Sequence, residues 1–237
     1  MVRKLLKLFK KEFNGLHEAA FLLGIFALFS QAMAVVRDRL FAEQFGAGLE
    51  LDIYYASFRI PDLIFVTIAS FVAITVVMPF FIENLSKNKE KARDFINSIF
   101  TLFFFAITFI SVVVYFATPA LVEKFFSGFD VVAREEVVLL TRILLLSPIL
   151  LGISNIFASI TQAFRNFFVY ALSPVLYNVG IILGLLFLYP IYGITGLAYG
   201  VVLGAVFHVL IQVPVIMSHG FLPRFSFKID KKEMKKV

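Results

Sequence analysis

An all-α, polytopic membrane fold with six transmembrane helices is what this sequence predicts, on three observations. First, 60% of its 237 residues are hydrophobic and only 16% are charged, with mean hydropathy +0.92. A soluble domain carries about 45–50% apolar and about 25% charged residues. Second, the apolar residues gather into six stretches close to the ~20 residues that a helix needs to cross a hydrocarbon core about 30 Å thick. Third, lysines and arginines crowd the flanks of these stretches. Backbone groups in lipid must pair internally, and runs of this length do so as helices far better than as barrel strands.

The first stretch, Leu16–Val36, follows a basic N-terminus and ends near Ala32-Met33-Ala34, so it resembles a signal peptide. Its apolar run is too long for one and five more spans follow, so a retained helix is expected. The second, Ile53–Ile82, is long enough to tilt or to extend beyond the bilayer. Phe95–Thr118 follows a basic loop, and Val137–Phe164 contains Ser147-Pro148, where a kink is expected. Phe167–Tyr189 and Gly193–Met217 complete the set. Gly180 and Gly184 on the fifth, and Gly196, Gly200 and Gly204 on the sixth, recur at steps of four. Small residues at that spacing let helix backbones approach closely, which makes these glycines structural.

Charge sets the orientation. With the N-terminus inside, sixteen Lys and Arg fall on the cytoplasmic side and four on the other, which predicts cytoplasmic N- and C-termini. The expected layout is a basic N-terminus over 1–15, a six-helix lobe over 16–217, and a basic tail or linker over 218–237. The net charge of +6 comes largely from those two ends, which fits lipid headgroups and the phospholipid bilayer rather than nucleic acid. Cysteine is absent, and the three histidines do not fall at metal-ligand spacing. Neither a phosphate loop nor a nucleophile with an adjacent base appears. No cofactor, metal site or catalytic residue is expected, and a transporter is favoured over an enzyme.

Charges inside spans are costly, about 2.5–3.5 kcal/mol each on insertion scales, so they are functional candidates. On the second span Asp52, Tyr55, Arg59 and Asp62 are spaced three, four and three, which places them on one helix face. Pro61 interrupts the same turn. The alternative is that Asp52 and Asp62 only neutralise Arg59. The first span ends in Arg37-Asp38-Arg39, with Ser30 and Gln31 seven residues before Arg37 and Asp38. Arg39 is expected to snorkel to the interface, leaving Arg37 as the deeper candidate. The fourth span carries a polar stripe of Gly152, Asn155, Ser159, Gln162 and Asn166, suited to a cavity or to interhelical hydrogen bonds. His208 and Gln212 continue the glycine ridge of the sixth span.

The stretch FSQAMAVVRDRLFAEQFGAGLELDIYYASFRIPDLIF resembles the first two helices of the MurJ/MviN lipid II flippase family. The resemblance rests on Arg37-Asp38, Phe45-Gly46-Ala47-Gly48, Asp52, Ala56, Phe58 and Arg59-Ile60-Pro61-Asp62. Further along, Phe167, Ala171, Pro174 and Asn178 resemble another stretch of that family. It implies one lobe of a two-lobed transporter of the multidrug/oligosaccharidyl-lipid/polysaccharide exporter superfamily, in the cell inner membrane. Such a protein moves undecaprenyl-pyrophosphate-linked peptidoglycan precursor by alternating access around a cationic cavity. It further implies that Arg37 binds pyrophosphate or sugar carboxylate, with Arg59 and Asp52 orienting the substrate or forming gating pairs. The substrate-binding set expected is Arg37, Asp38, Asp52, Arg59, Asp62, Gln31, Asn155 and Gln162. The structural set is Gly46, Gly48, Pro61, Pro174 and the glycine ridge of the sixth span.

Three positions depart from the family pattern. Gln31 stands where an arginine is usual, Phe65 or Val66 where another is usual, and Ser70-Phe71-Val72-Ala73 replaces a Glu-Gly-Ala-Phe stretch. These leave open a flippase for another polyprenyl-linked polysaccharide, and a non-transporting half-lobe scaffold. A second lobe, from the same gene product or another subunit, is expected as partner.

Overall fold

The computed structural model describes residues 15–70 and 77–226. Helix α1 spans Leu16–Phe45, α2 spans Leu49–Ile64 and runs into a π-helical turn at Phe65–Ser70, and α3 spans Met78–Lys87. Then come α4, Lys89–Phe125; α5, Val131–Leu144; α6, Leu146–Ala163; and α7, Phe167–Leu183, with a π-helical run at Gly184–Leu188. The last three are α8, Tyr189–Tyr192; α9, Ile194–Leu210; and α10, Val213–His219. Among the described residues, five helical stretches, some with a short internal break, are long and apolar enough to cross a membrane, at 17–45, 89–125, 131–163, 167–192 and 194–219. The remaining expected span, 53–82, corresponds to α2, the π-turn and α3, and its residues 71–76 lie outside the described residues.

Local chemistry explains most of the boundaries. The first expected span stops at Val36, but α1 continues through the Arg37-Asp38-Arg39 charges to Phe45. It ends at Gly46, whose φ of 58° favours a residue without a side chain. The charges mark a polar environment and leave the helical hydrogen bonds intact. Asn88 alone separates α3 from α4; its side chain accepts the Glu90 N–H at 2.9 Å and caps α4. Asp130 caps α5 in the same way, accepting the Ala133 N–H at 2.8 Å. The fourth expected span is broken between α5 and α6 at Leu145. Pro148 has no N–H to give the Leu144 carbonyl, so the α-helical ladder cannot run through unbroken.

Two large apolar clusters hold the bundle. One joins α3, α4, α6 and the chain after α10, around Phe81, Phe103, Ile107, Ile160 and Phe221. The other joins α1, α2, α5, α7 and α9, around Phe41, Ile53, Leu140, Ile181 and Val201. A third and smaller cluster, Ala19 with Phe168, Val169 and Val215, fastens the start of α1 to α7 and α10. Helices α7 and α9 cross backbone to backbone: a Cβ added to Gly180 would collide with Gly204, and one added to Gly184 with Gly200. No side chain larger than hydrogen fits between them. Outside, Phe21, Leu28, Phe109 and Phe116 are 72%, 74%, 68% and 73% exposed. Side chains this apolar on the surface of long apolar helices belong in a bilayer. The chain is a multi-pass membrane protein.

Candidate functional site

Helix α1 packs along α7 and touches α2 only slightly, so its Arg37 face looks across to α7. Ser30 and Arg37 are two turns apart on that face, and Asn178 of α7 lies between them. Arg37 Nη1 donates to Asn178 Oδ1 at 3.0 Å, while Asn178 Nδ2 donates to Ser30 Oγ at 3.4 Å and to the Pro174 carbonyl at 3.1 Å. Because a guanidinium only donates, the amide oxygen must face Arg37, and this fixes the orientation of the amide. The other edge of the guanidinium holds Asp38: Nε and Nη2 both lie 2.8 Å from Asp38 Oδ1. The Arg37 side chain is 24% exposed and that of Asp38 54%. A pair this open adds little stability. What it does is hold the guanidinium plane, whose remaining N–H groups have no protein partner among the described residues.

Two tyrosines connect this group to α2. Tyr54, 2% exposed, packs edge-on against Phe41 and Phe58, while Tyr55 is 46% exposed. Both lie within electrostatic reach of Arg37 and Asp38. Tyr177, next to Asn178, lies within reach of Arg37 and of Asp62. A hydrogen bond joins Arg37 of α1 to Asn178 of α7, the Phe41 and Tyr54 rings join α1 to α2, and Asp62 of α2 and Tyr177 of α7 line one small cavity, so polar groups of α1, α2 and α7 gather in one region.

The other expected site residues are placed as follows. Asp52, Arg59 and Asp62 are all exposed on α2. Among the described residues no ion pair within 4 Å joins Arg59 to either aspartate, although Asp62 feels its charge. Gln31 is exposed on α1. On α6, Gln162 donates back to the Ala158 carbonyl at 3.2 Å, and Asn155 is half-buried. Neither hydrogen-bonds into the Arg37 group. Gly46 and Gly48 flank the break between α1 and α2, and Pro61 is buried within α2. Pro174 contributes its carbonyl to Asn178.

Sequence reasoning left Tyr177 out of the site and quoted Asn178 only as a point of resemblance. The available signal was an asparagine four residues after a proline within an apolar run. It also missed Ser154, which organises the polar core between α6 and α9. Ser154 Oγ donates to the His208 carbonyl at 3.0 Å and lies 2.6 Å from His208 Nδ1; buried Gln212 donates its amide to the same Oγ. His208 is a structural hydrogen-bonding group in this arrangement. Arg142 turns to α4, with Nε 3.2 Å from the Tyr115 carbonyl and its guanidinium 4.7 Å from the Tyr115 ring. It lines a cavity of about 550 Å³ with Arg134, Glu123 and Glu135, which shares no lining residue with the Arg37 group. Among the described residues no cluster of three His, Asp or Glu is placed to hold a metal ion.

Comparison with known proteins points one way. The family model described as lipid II flippase MurJ matches residues 41–237. The probable lipid II flippase MurJ of Borreliella burgdorferi is 28% identical over 87% of this chain and 41% of its own length. That of Thermotoga maritima is 32% identical over 71% of this chain and 35% of its own length. The lipid II flippase MurJ of Burkholderia cenocepacia is 26% identical over 84% of this chain and 39% of its own length. A solved structure, lipid II flippase MurJ in an inward closed conformation, superposes with a TM-score of 0.74 at 25% identity. It covers 91% of this chain and 45% of that one. The chain therefore spans about two-fifths of the length of the curated relatives it matches.

Proposed function

The chain belongs to the lipid II flippase MurJ family, and from that premise we propose that it serves as the N-terminal lobe of a flippase for undecaprenyl-pyrophosphate-linked peptidoglycan precursor. The observation that carries this reading is the Arg37 guanidinium, pinned by Asn178 and Asp38 with N–H groups to spare. A guanidinium offers a permanent charge and a planar fork suited to a pyrophosphate oxygen pair. Arg59, exposed on α2 without a close carboxylate partner among the described residues, supplies a second cation. Asp52 at the start of the same helix is the candidate gating partner across the cavity. Asn155 and Gln162 are the polar groups on α6 that a sugar headgroup would meet. The work done is translocation, with no bond made or broken, so the protein acts as a transporter and not as an enzyme.

The partner in this reading is a second lobe, because one lobe alone cannot close both sides of a cavity. The membrane is the cell inner membrane, and both ends of the chain face the cytoplasm, following the excess of Lys and Arg on that side.

A second reading has a specific observation behind it. Gln31, exposed on α1 near Ser30, is neutral, and Phe65 and Val66 are apolar. A cavity with fewer cations suits a polyprenyl-pyrophosphate carrying a less anionic glycan. Competition separates the two. Binding of fluorescent lipid II to the purified full-length protein is measured against unlabelled lipid II and against undecaprenyl-pyrophosphate bearing a neutral oligosaccharide. Stronger displacement by lipid II supports the first reading; stronger displacement by the neutral glycan lipid supports the second. Failure of both to compete overturns the pyrophosphate-binding role of Arg37.

A further inference from the structure

Within α4, Pro119 has no N–H to give the Tyr115 carbonyl four residues before it. Arg142 of α5 takes that carbonyl instead. Its Nε donates to it at 3.2 Å, and its guanidinium lies 4.7 Å from the centre of the Tyr115 ring. One edge of the guanidinium is thereby held, while neither Nη has a protein partner among the described residues. Arg142 belongs to the membrane-crossing stretch 131–163, where an unpaired charge is costly.

The same guanidinium borders the cavity of about 550 Å³ between α4 and α5. Val122, Val131, Val138 and Leu139 give this cavity apolar walls, and Glu123, Arg134 and Glu135 add three charges. Arg134 stands eight residues before Arg142 on the same face of α5, roughly 12 Å nearer the α4–α5 turn. Its Nε reaches only the Asp130 carbonyl, at 3.4 Å. Among the described residues no ion pair within 4 Å joins either arginine to a carboxylate, and neither glutamate has a hydrogen-bond partner. Two cations and two anions line one groove without neutralising one another.

We propose that this groove binds one zwitterionic phospholipid with a primary ammonium in its headgroup, as in phosphatidylethanolamine. Its phosphate sits between Arg142 and Arg134, its ammonium against Glu123 and Glu135, and its acyl chains along the valine and leucine walls. A phosphate oxygen accepts from the free Nη groups as a charge-assisted hydrogen bond. The ammonium brings three donors to two carboxylates that have none. An anionic phospholipid would leave both glutamates unpaired, and a choline headgroup has no N–H to give them. A helix of another chain would have to bury four charges, and so would need matching charges of its own. The leaflet, the outer one, rests on the orientation proposed above, while the headgroup chemistry does not. The groove has no lining residue in common with the Arg37 group, so the lipid holds α4 to α5 without occupying the flippase site.

The experiment is photocrosslinking of the purified full-length protein in phosphatidylcholine nanodiscs. A trace of phosphatidylethanolamine or phosphatidylcholine carries a diazirine on its acyl chain, and adducts are mapped by peptide mass spectrometry. The phosphatidylethanolamine probe is expected to label α5 and the part of α4 after Pro119 at least fivefold more than the phosphatidylcholine probe does. Unlabelled phosphatidylethanolamine should displace it at least fivefold better than phosphatidylglycerol. Arg142→Gln is expected to cut the yield on these segments at least tenfold. Glu123→Gln combined with Glu135→Gln should bring the two probes within twofold of each other. Labelling spread evenly over the lipid-facing helices would mean bulk lipid contact only and overturn the proposal. So would equal labelling by the two probes in the wild type, wild-type yield in Arg142→Gln, or no labelling of the groove, the result if another protein surface covers it. Displacement of the probe by lipid II would assign the groove to the lipid II path and overturn it too. If Arg142→Gln does not fold, the glutamate pair decides, and an unchanged preference there sinks the assignment. The assay reads phospholipid contact and not lipid II movement, so its failure leaves the flippase reading standing.

Discussion

Arg37 shows how a single side chain can be both held and available. Asn178 and Asp38 fix two edges of its guanidinium while further N–H groups stay open. A hydrogen bond to a charged group contributes about 1.5–3 kcal/mol, so Arg37→Ala should weaken lipid II binding by roughly 10- to 150-fold. Asn178→Ala should cost less, on the order of tenfold, because it loosens the guanidinium without removing it. Titration of fluorescent lipid II into each purified variant checks the order; Asn178→Ala binding worse than Arg37→Ala would contradict it. The Ser154 cluster makes a stability prediction of the opposite kind. Ser154→Ala removes the hydroxyl that Gln212 and His208 share inside the bundle. The cost should be about 1–3 kcal/mol, read as a fall in the thermal midpoint, with lipid binding unchanged. Arg37 was legible in the sequence as a charge at the end of an apolar run. Its partner Asn178 was not legible as such, since the two are 141 residues apart and no local pattern links them.

At the scale of elements, the glycine ridge is the feature that tolerates least change. Gly180→Ala or Gly204→Ala places a methyl group against backbone atoms of the facing helix, and overpacking of this sort costs about 1–3 kcal/mol. Gly24→Ala is the matched control, because a Cβ there meets nothing within 4 Å. It should be neutral or stabilising by up to about 1 kcal/mol, as removing a mid-helix glycine usually is. Reversible unfolding in mixed micelles separates the two classes; equal effects at Gly24 and Gly204 would refute the close crossing. The four-residue spacing made this ridge readable in advance, because small-residue periodicity is a local property. The break at Leu145 and the extension of α1 to Phe45 were harder to read. Hydropathy reports where a segment sits relative to lipid, and a helix can cross from apolar to polar surroundings without interruption. A proline shows where the hydrogen-bond ladder weakens, while packing decides which neighbouring residue yields.

For the whole molecule, charge asymmetry carries the orientation. The chain contains no cysteine, so single-cysteine variants report topology without background. Ser127→Cys, between α4 and α5, should react with a membrane-impermeant maleimide added to intact cells. Lys91→Cys, at the start of α4, should react only after the membrane is opened. The reverse pattern would invert the proposed topology. The long apolar helices and their lipid-facing bulk were legible from composition and hydropathy alone. The convergence of α1, α2 and α7 on one polar region was not, because it depends on which helices become neighbours.

The central claim is that Arg37 engages the pyrophosphate of a lipid-linked glycan during its passage across the membrane. Leaflet-resolved lipid II translocation, measured in cells that depend on this gene in its natural context, tests that claim most directly. Wild type, Arg37→Lys and Arg37→Ala are compared at matched membrane abundance. The account predicts full activity in the first, partial activity in the second because a point charge replaces a fork, and none in the third. Translocation by Arg37→Ala at the wild-type rate would contradict it.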